Sequence, residues 1–328
     1  VIPSAPMNRL VAGSLAIARS LARRLEGRAG SLAAFSDLER HLWMLADSVR
    51  NDAFAKAIGR AVKPGMIVAD VGTGTGLLAM MACRAGAARV YAIEEAAVIT
   101  LAEKIIRANG FAGRIVLIRG SSLKTELPER VDAVISETIG SFVFSEEILP
   151  TLVDARERFL KPGGTIVPER IVVTMAPVET FSEGTGFWER PVSGFDYREA
   201  LPHLAIGTPV AARRIGAGNY LGPEALLFDL DFRTATTGMD LSRELEFTAR
   251  RRGTLHGFVG AWEARLHDDA VLRCAPESEA LHWPPILFRL PRGIPVEAGD
   301  RIVLDFGRLE RTGWQWRWSA RVTNPQNG

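Results

Sequence analysis

Between Met66 and Val167 the chain alternates short apolar runs with stretches of helical spacing. Ile67-Val68-Ala69, Val90-Tyr91-Ala92-Ile93, Ile115-Val116-Leu117-Ile118, Val131-Asp132-Ala133-Val134-Ile135 and Thr165-Ile166-Val167 are short and rich in β-branched residues. Each reads as a buried strand. Helices are expected between them over 77–85, about 97–109 and near 149–159, the last stopped by Lys161-Pro162-Gly163-Gly164. Strands that alternate with helices join through right-handed crossovers, which predicts a parallel sheet in an α/β domain. Upstream, residues from about 36 to 62 read as two helices. Ser36-Asp37-Leu38-Glu39 has the capping-box pattern, and Asn51 is placed to cap the second helix. In that helix Phe54, Ala57, Ile58 and Ala61 recur at helical spacing until Lys63-Pro64-Gly65 ends it. Further upstream, Leu10, Leu15, Leu21 and Leu25 leave room for an amphipathic stripe, expected to pack on the body or a partner rather than to act as a signal segment.

After Pro168 the pattern changes. Apolar or alternating runs at 171–175, 226–232, 245–248, 255–262, 285–290 and 301–306 lack helical spacing, and Trp314, Trp316 and Trp318 alternate with polar residues. This half reads as antiparallel β, a barrel or sandwich. Residues from about 197 to 222 are poor in strand signals and contain Pro202, Pro209 and several glycines. That is long for a simple connection and predicts a functional excursion. The division expected is a helical extension over 1–35, a ligand-binding α/β domain over 36–168 and a β domain over 169–328.

Composition narrows the class without naming a function. At 47% hydrophobic and 24% charged, the 328 residues are those of a globular protein with ample core. A formal charge of +2 gives no reason to expect nucleic acid or an anionic membrane as partner. Two cysteines, Cys83 and Cys274, exclude a disulfide framework and point to a reducing, cytoplasmic compartment. No Cys/His cluster has metal-site spacing, and no apolar run reaches the roughly 20 residues needed to span a bilayer.

Chemistry concentrates at the predicted strand ends. Asp70-Val71-Gly72-Thr73-Gly74-Thr75-Gly76-Leu77 joins the first strand to its helix, and Glu94 ends the next strand. The glycines let a ligand approach the backbone at a helix N-terminus, but G-x-G-x-G is not the dinucleotide fingerprint. An acid at the strand end would also repel a pyrophosphate. Acid, alternating glycines and a second acid resemble the S-adenosylmethionine-dependent methyltransferases. The competing reading is a tight turn with a surface glutamate. Downstream, Glu137 and Glu146 bracket an otherwise uncharged, apolar loop that leaves a strand's carboxyl end, where open α/β sheets bind ligands. The pair suits a cationic, hydrogen-bond-rich ligand; one capping and one solvated glutamate is the bland alternative.

Met44-Leu45-Ala46-Asp47-Ser48-Val49-Arg50, Asp70 to Gly76, Ala92-Ile93-Glu94, Ser136-Glu137 through Glu146, and Leu281-His282-Trp283 stand in one order along the chain. Together, over about residues 31–320, they resemble the protein arginine methyltransferases. The resemblance implies N-terminal helices, a class I methyltransferase Rossmann-like domain, and an antiparallel β-barrel domain carrying a dimerisation arm, here 197–222 after Trp188-Glu189 and Gly194-Phe195-Asp196. It implies S-adenosyl-L-methionine as cofactor, an arginine-containing protein or peptide as substrate, and a homodimer. Arg50 would pair with the cofactor's carboxylate and His41 would lie over the cofactor. Asp70, Gly72, Gly74 and Gly76 would line it, Glu94 would hold the ribose, and Ser122 falls near the adenine. Glu137 and Glu146 would grip the substrate. His282, partnered by Asp47, is the candidate proton acceptor, with Met44 and Trp283 at the substrate side. For Met44 and His282, ordinary core packing competes with these roles.

The departures from the family's pattern bear on the substrate. Its Tyr-Phe-x-x-Tyr helix is replaced by Ser31-Leu32-Ala33-Ala34-Phe35, and its Trp-Met after the first glutamate by Thr138-Ile139. Leu281 stands before His282 where the family has threonine, and Ser121-Ser122-Leu123-Lys124 stands where an acid is common. These changes keep two alternatives open, a small cationic metabolite as substrate or a catalytically weak regulatory homologue.

Overall fold

The computed structural model describes residues 38–180, 187–188, 190–203, 209–279, 281–309 and 315–324. The leucine stripe before residue 26, the stretch Ser31 to Phe35, Ser36 and Trp314 lie outside the described residues.

Two helices lead the described chain, α1 (Leu38–Ala46) and α2 (Ser48–Ala61). Asn51 does not cap the second. Asp47 does, accepting the Arg50 N–H at 2.9 Å, which starts the helix four residues earlier and leaves Asn51 inside its first turns. Phe54, Ala57, Ile58 and Ala61 form its buried stripe as the periodicity predicts. The α/β half follows: β1 (Ile67–Val71), α3 (Leu77–Ala85), β2 (Arg89–Glu94), α4 (Ile99–Ala108), β3 (Ile115–Arg119), β4 (Val131–Ser136), α5 (Ile148–Arg158) and β5 (Leu160–Val167). All pairings are parallel, in the order β3-β2-β1-β4-β5. Strand order therefore reverses between β1 and β4, and the crevice at their carboxyl ends is the place such sheets bind ligands. One boundary differs from expectation. Lys161-Pro162-Gly163-Gly164 lies within β5 rather than outside it, because a bulge between the pairs Val131–Leu160 and Ala133–Thr165 absorbs the extra residues.

The second half is antiparallel, as the change of pattern after Pro168 predicts. Its strands are β6 (Arg170–Val178), β7 (Val210–Ala211), β8 (Ala225–Asp231), β9 (Ser242–Thr248), β10 (Gly253–His267), β11 (Ala270–Cys274), β12 (Ile286–Val296), β13 (Arg301–Arg308) and β14 (Trp316–Thr323). Among the described residues they pair in two sheets, β7-β12-β10-β6-β8 with β11 on β10, and β14-β13-β9. The sheets approach at two edges, where β8 lies by β9 and β12 by β14, and Trp318 Nε1 donates to the Arg289 carbonyl at 2.7 Å. β10 is buried on both faces. Phe258 and Trp262 enter the main core, while Val259 packs outward with Ala176, Leu287, Ala212 and Ile215, the last two from the 209–222 stretch.

The halves share one core, joined by the loop after β4. Phe142 reaches into the β half, its ring 4.7 Å from Phe288 and 5.7 Å from Trp316. Phe144 packs 5.3 Å from Trp316 and 5.7 Å from Phe228. Gly260 makes room: a Cβ there would lie 2.4 Å from the Phe142 ring. Between the two aromatics Val143 is held at φ +60°, a left-handed conformation rare for a β-branched residue. Such strain persists only where its surroundings over-determine it. Phe144 is fully buried, so Phe144→Ala is expected to lower unfolding free energy by roughly 3–5 kcal/mol in a denaturant titration. A loss below about 1 kcal/mol would mean that the loop is not anchored there.

Candidate active site

The turn after β1 is built for close backbone approach. Gly72, Gly74 and Gly76 have φ of +76°, +55° and +86°, and a Cβ on Gly74 would sit 3.1 Å from the ring of His41, which is buried on α1. His41 thus packs against the glycine turn. A Cβ on Gly72 would meet the Thr138 methyl at 2.8 Å, so the glutamate loop touches the glycine turn directly. Glu94 closes the turn from β2, its Oε2 accepting Gly74 N at 2.9 Å and its Oε1 Ala96 N at 2.7 Å. Each carboxylate oxygen keeps a second acceptor direction for a hydroxyl. Ser122 lies at the same sheet edge, half-buried in a short 3₁₀ turn, with its carbonyl accepting Arg158 Nη2 at 2.6 Å.

Asp70 is fully buried. Its Oδ2 accepts the Thr73 hydroxyl at 2.6 Å, while Oδ1 is buried without a hydrogen bond of good geometry. Burial pushes this carboxyl up to about 7, with the nearby Glu94 charge adding to the shift and Thr73 opposing it. A buried acceptor beside the glycine turn fits a cationic amine.

Glu137 and Glu146 sit at opposite ends of the anchored loop. Glu137 is buried and paired with buried Arg50: Nε donates to Oε2 at 2.9 Å, Nη2 donates to the same oxygen, and Oε1 accepts Ile139 N at 3.2 Å. Glu146 is half-buried, and neither glutamate caps α5, whose cap position is Glu147 with no side-chain bond. The bland reading of the pair is therefore wrong for Glu137. The loop is narrow: Gly140 bridges Val143, and a Cβ on Gly140 would overlap Ser145 Oγ. Ser136 Oγ donates to the Val71 carbonyl at 2.8 Å, tying the ends of β4 and β1 together.

Asp47 and His282 meet across 235 residues of sequence. Asp47 Oδ2 accepts the His282 backbone N–H at 2.9 Å and lies 2.8 Å from Nδ1. Burial would raise the Asp47 carboxyl, but the Arg50 and His282 amides and the imidazole outweigh it and hold the group below its ordinary value. Burial takes the imidazole below its ordinary 6.5, against the pull of Asp47 and of the Glu137 charge. With Nδ1–H on the carboxylate, neutral His282 keeps its Nε2 lone pair. Trp283 is buried behind the imidazole, 3.7 Å between ring centroids, and 5.3 Å from Trp262, so it forms a wall rather than an exposed surface. Met44 is half-buried, with its carbonyl 3.5 Å from Arg50 Nη1.

Of the residues named from sequence, the structure brings His41 and Glu94 to Gly74, Arg50 to Glu137, and Asp47 to His282, whereas Ser122 contacts Arg158 after β3. Three were missed. Phe142 and Phe144 carry a readable signal, large apolar side chains inside a loop. The closeness of Thr138 to the glycine turn has none, since both belong to different strands.

Two families match the chain: the ribosomal protein L11 methyltransferase (PrmA) family over residues 54–177, and the arginine methyltransferase oligomerization subdomain over residues 170–313. The chain is 31% identical over 289 residues to protein arginine N-methyltransferase 6 of Xenopus laevis, covering 83% of this chain and 84% of that one. It is 32% identical over 278 residues to protein arginine N-methyltransferase 1 of Schizosaccharomyces pombe, covering 80% and 79%. Its fold is similar to that in the Trypanosoma brucei PRMT1 enzyme-prozyme heterotetrameric complex with AdoHcy, with a TM-score of 0.79, 24% identity and coverage of 89% and 96%. Protein arginine methyltransferase 10 of Arabidopsis thaliana gives a TM-score of 0.74 at 24% identity, covering 89% and 100%.

The raised Asp70 carboxyl makes stability fall as pH rises from its unfolded value near 3.8 to about 7, because the unfolded chain sheds that proton earlier. Asp70→Asn lacks this slope. In ligand-free protein the variant is expected to gain roughly 2–3 kcal/mol on wild type between pH 5 and pH 8, read by denaturant unfolding at each pH. A gap that stays constant with pH would show that Asp70 ionises as an ordinary aspartate.

Proposed function

The chain belongs to the protein arginine N-methyltransferase family, and from that premise we propose that it transfers a methyl group from S-adenosylmethionine to the guanidinium of an arginine in a protein or peptide. The observation that carries this reading is Glu137: its carboxylate is buried at the strand-order switch and already holds a planar guanidinium, that of Arg50.

The residues present fit the cofactor. Asp70 supplies a buried acceptor without a good hydrogen bond, the glycine turn exposes backbone beneath His41, and Glu94 presents a carboxylate at the next strand end. Asp70 would take the amine of the methionine part, Arg50 its carboxylate, and Glu94 the ribose hydroxyls. When bound, S-adenosylmethionine supplies an electrophilic methyl group on its sulfonium.

A guanidinium is a poor nucleophile, because its charge is delocalised and its pKa exceeds roughly 12. Glu137 and Glu146 hold the substrate guanidinium between them through charge-assisted hydrogen bonds. Two anions on one side draw the positive charge toward them and leave the remaining nitrogen richer in electron density. The same contacts aim that nitrogen, so most of the rate enhancement is positioning and electrostatics. His282 Nε2 accepts the proton released, and Asp47 stabilises the imidazolium that forms. Burial keeps the imidazole neutral, and so able to act as a base, at neutral pH.

The protein is proposed to act as a homodimer through the 197–222 stretch. Phe195 and Tyr197 leave large apolar area exposed beside it, as do Leu38, Leu42, Trp43 and Leu45 on α1. Glu146→Gln is expected to bind S-adenosylhomocysteine like wild type but to lose at least about 100-fold in turnover on arginine-rich peptides. Near wild-type turnover would sink the assignment of the clamp. Light scattering is expected to return twice the 35.7 kDa chain mass, and a value near the chain mass would contradict the dimer.

A further inference from the structure

Asn51 stands at the seam between α1 and α2, and no role above uses it. Its Nδ2 donates to the Leu45 carbonyl at 2.8 Å, and its Oδ1 accepts from Arg50 Nη1 at 2.8 Å. The flipped carboxamide would set donor against donor at Arg50 and acceptor against acceptor at Leu45, so the network admits one orientation. Leu45 is the next-to-last residue of α1, and its carbonyl is a helix-end acceptor that no N–H of α1 reaches. One side chain therefore fastens the end of the helix that carries His41 and Met44 to the guanidinium that meets Glu137.

The donor count gives that link a consequence. A guanidinium has five N–H groups. Arg50 commits Nε and one Nη2 hydrogen to Glu137, and Nη1 faces Asn51 and, at 3.5 Å, the Met44 carbonyl. One N–H, on Nη2, remains for a ligand carboxylate. Asn51 decides which one it is, because with Nη1 held the guanidinium plane is pinned at both edges.

We propose that Asn51 is a positioning residue for cofactor binding, holding the Arg50 guanidinium and the end of α1 in the orientation that presents one N–H to the carboxylate of S-adenosylmethionine. The inference rests on the reading of Arg50 as the carboxylate's partner. Isothermal titration of the full chain with S-adenosylhomocysteine tests it, at a temperature where every variant is folded by circular dichroism. Asn51→Leu, which keeps the size and removes both hydrogen bonds, is expected to weaken binding about tenfold, the scale of one charge-assisted hydrogen bond. In an Arg50→Lys background the same change is expected to alter the dissociation constant less than about twofold, since the effect runs through the guanidinium. Asn51→Asp keeps an acceptor for Nη1 but loses the donor to the Leu45 carbonyl and adds a negative charge beside the guanidinium, and it too is expected to weaken binding. An unchanged dissociation constant in Asn51→Leu, even with a lowered melting temperature, would make Asn51 a helix-end contact only. An effect of equal size in the Arg50→Lys background would overturn the route through Arg50. Wild-type protein that fails to bind S-adenosylhomocysteine would instead remove the cofactor reading on which the inference stands.

Discussion

The insertion of Phe142 and Phe144 into the core of the β half is the contact on which the site depends. The two rings pack among Phe228, Phe288 and Trp316, and they hold the middle of the loop whose ends carry Glu137 and Glu146. A free loop of this length would sample many conformations, and fixing each residue costs about 1–2 kcal/mol. Burial of two aromatic side chains offsets part of that cost and leaves Val143 in its left-handed conformation. The α/β half supplies the strand end from which the loop departs. The β half fixes where the loop goes.

Around that anchor, charge is buried only where it is matched. Arg50 and Glu137 lie together out of solvent, and Asp47 satisfies the Arg50 amide, the His282 amide and the imidazole at once. Removing one member of such a pair leaves an uncompensated buried charge, typically at about 3–5 kcal/mol. The first turn of α2 thereby reaches both the loop after β4 and the segment before β12. Asp70 is the exception, since its carboxyl is fully buried with the Thr73 hydroxyl and the Ala79 amide beside it and no ion pair. Its raised pKa follows from that burial.

Much of this was legible along the chain, because the signals are local. Short apolar runs between stretches of helical spacing located the five parallel strands, and Gly72, Gly74 and Gly76 stand in a turn with positive φ. The acids at 70 and 94 were readable because they lie at or next to the carboxyl ends of neighbouring strands. Asn51 was misread as a cap because its residue type favours that role. The true cap, Asp47, also serves His282, a partner 235 residues away that spacing does not reveal. The helix does end before Lys161-Pro162-Gly163-Gly164, at Arg158, but a bulge carries those residues inside β5 rather than leaving them outside the strand.

The sequence by itself determined which residues could bear charge at strand ends and which segments must be helix or strand, since both follow from neighbours along the chain. Only the tertiary structure decided how those residues pair. Whether Glu137 faces solvent, a ligand or Arg50, and whether His282 finds Asp47, depends on packing between segments far apart in sequence. There the balance of desolvation against pairing is set by burial, and burial exists only once the two halves close over the loop that joins them.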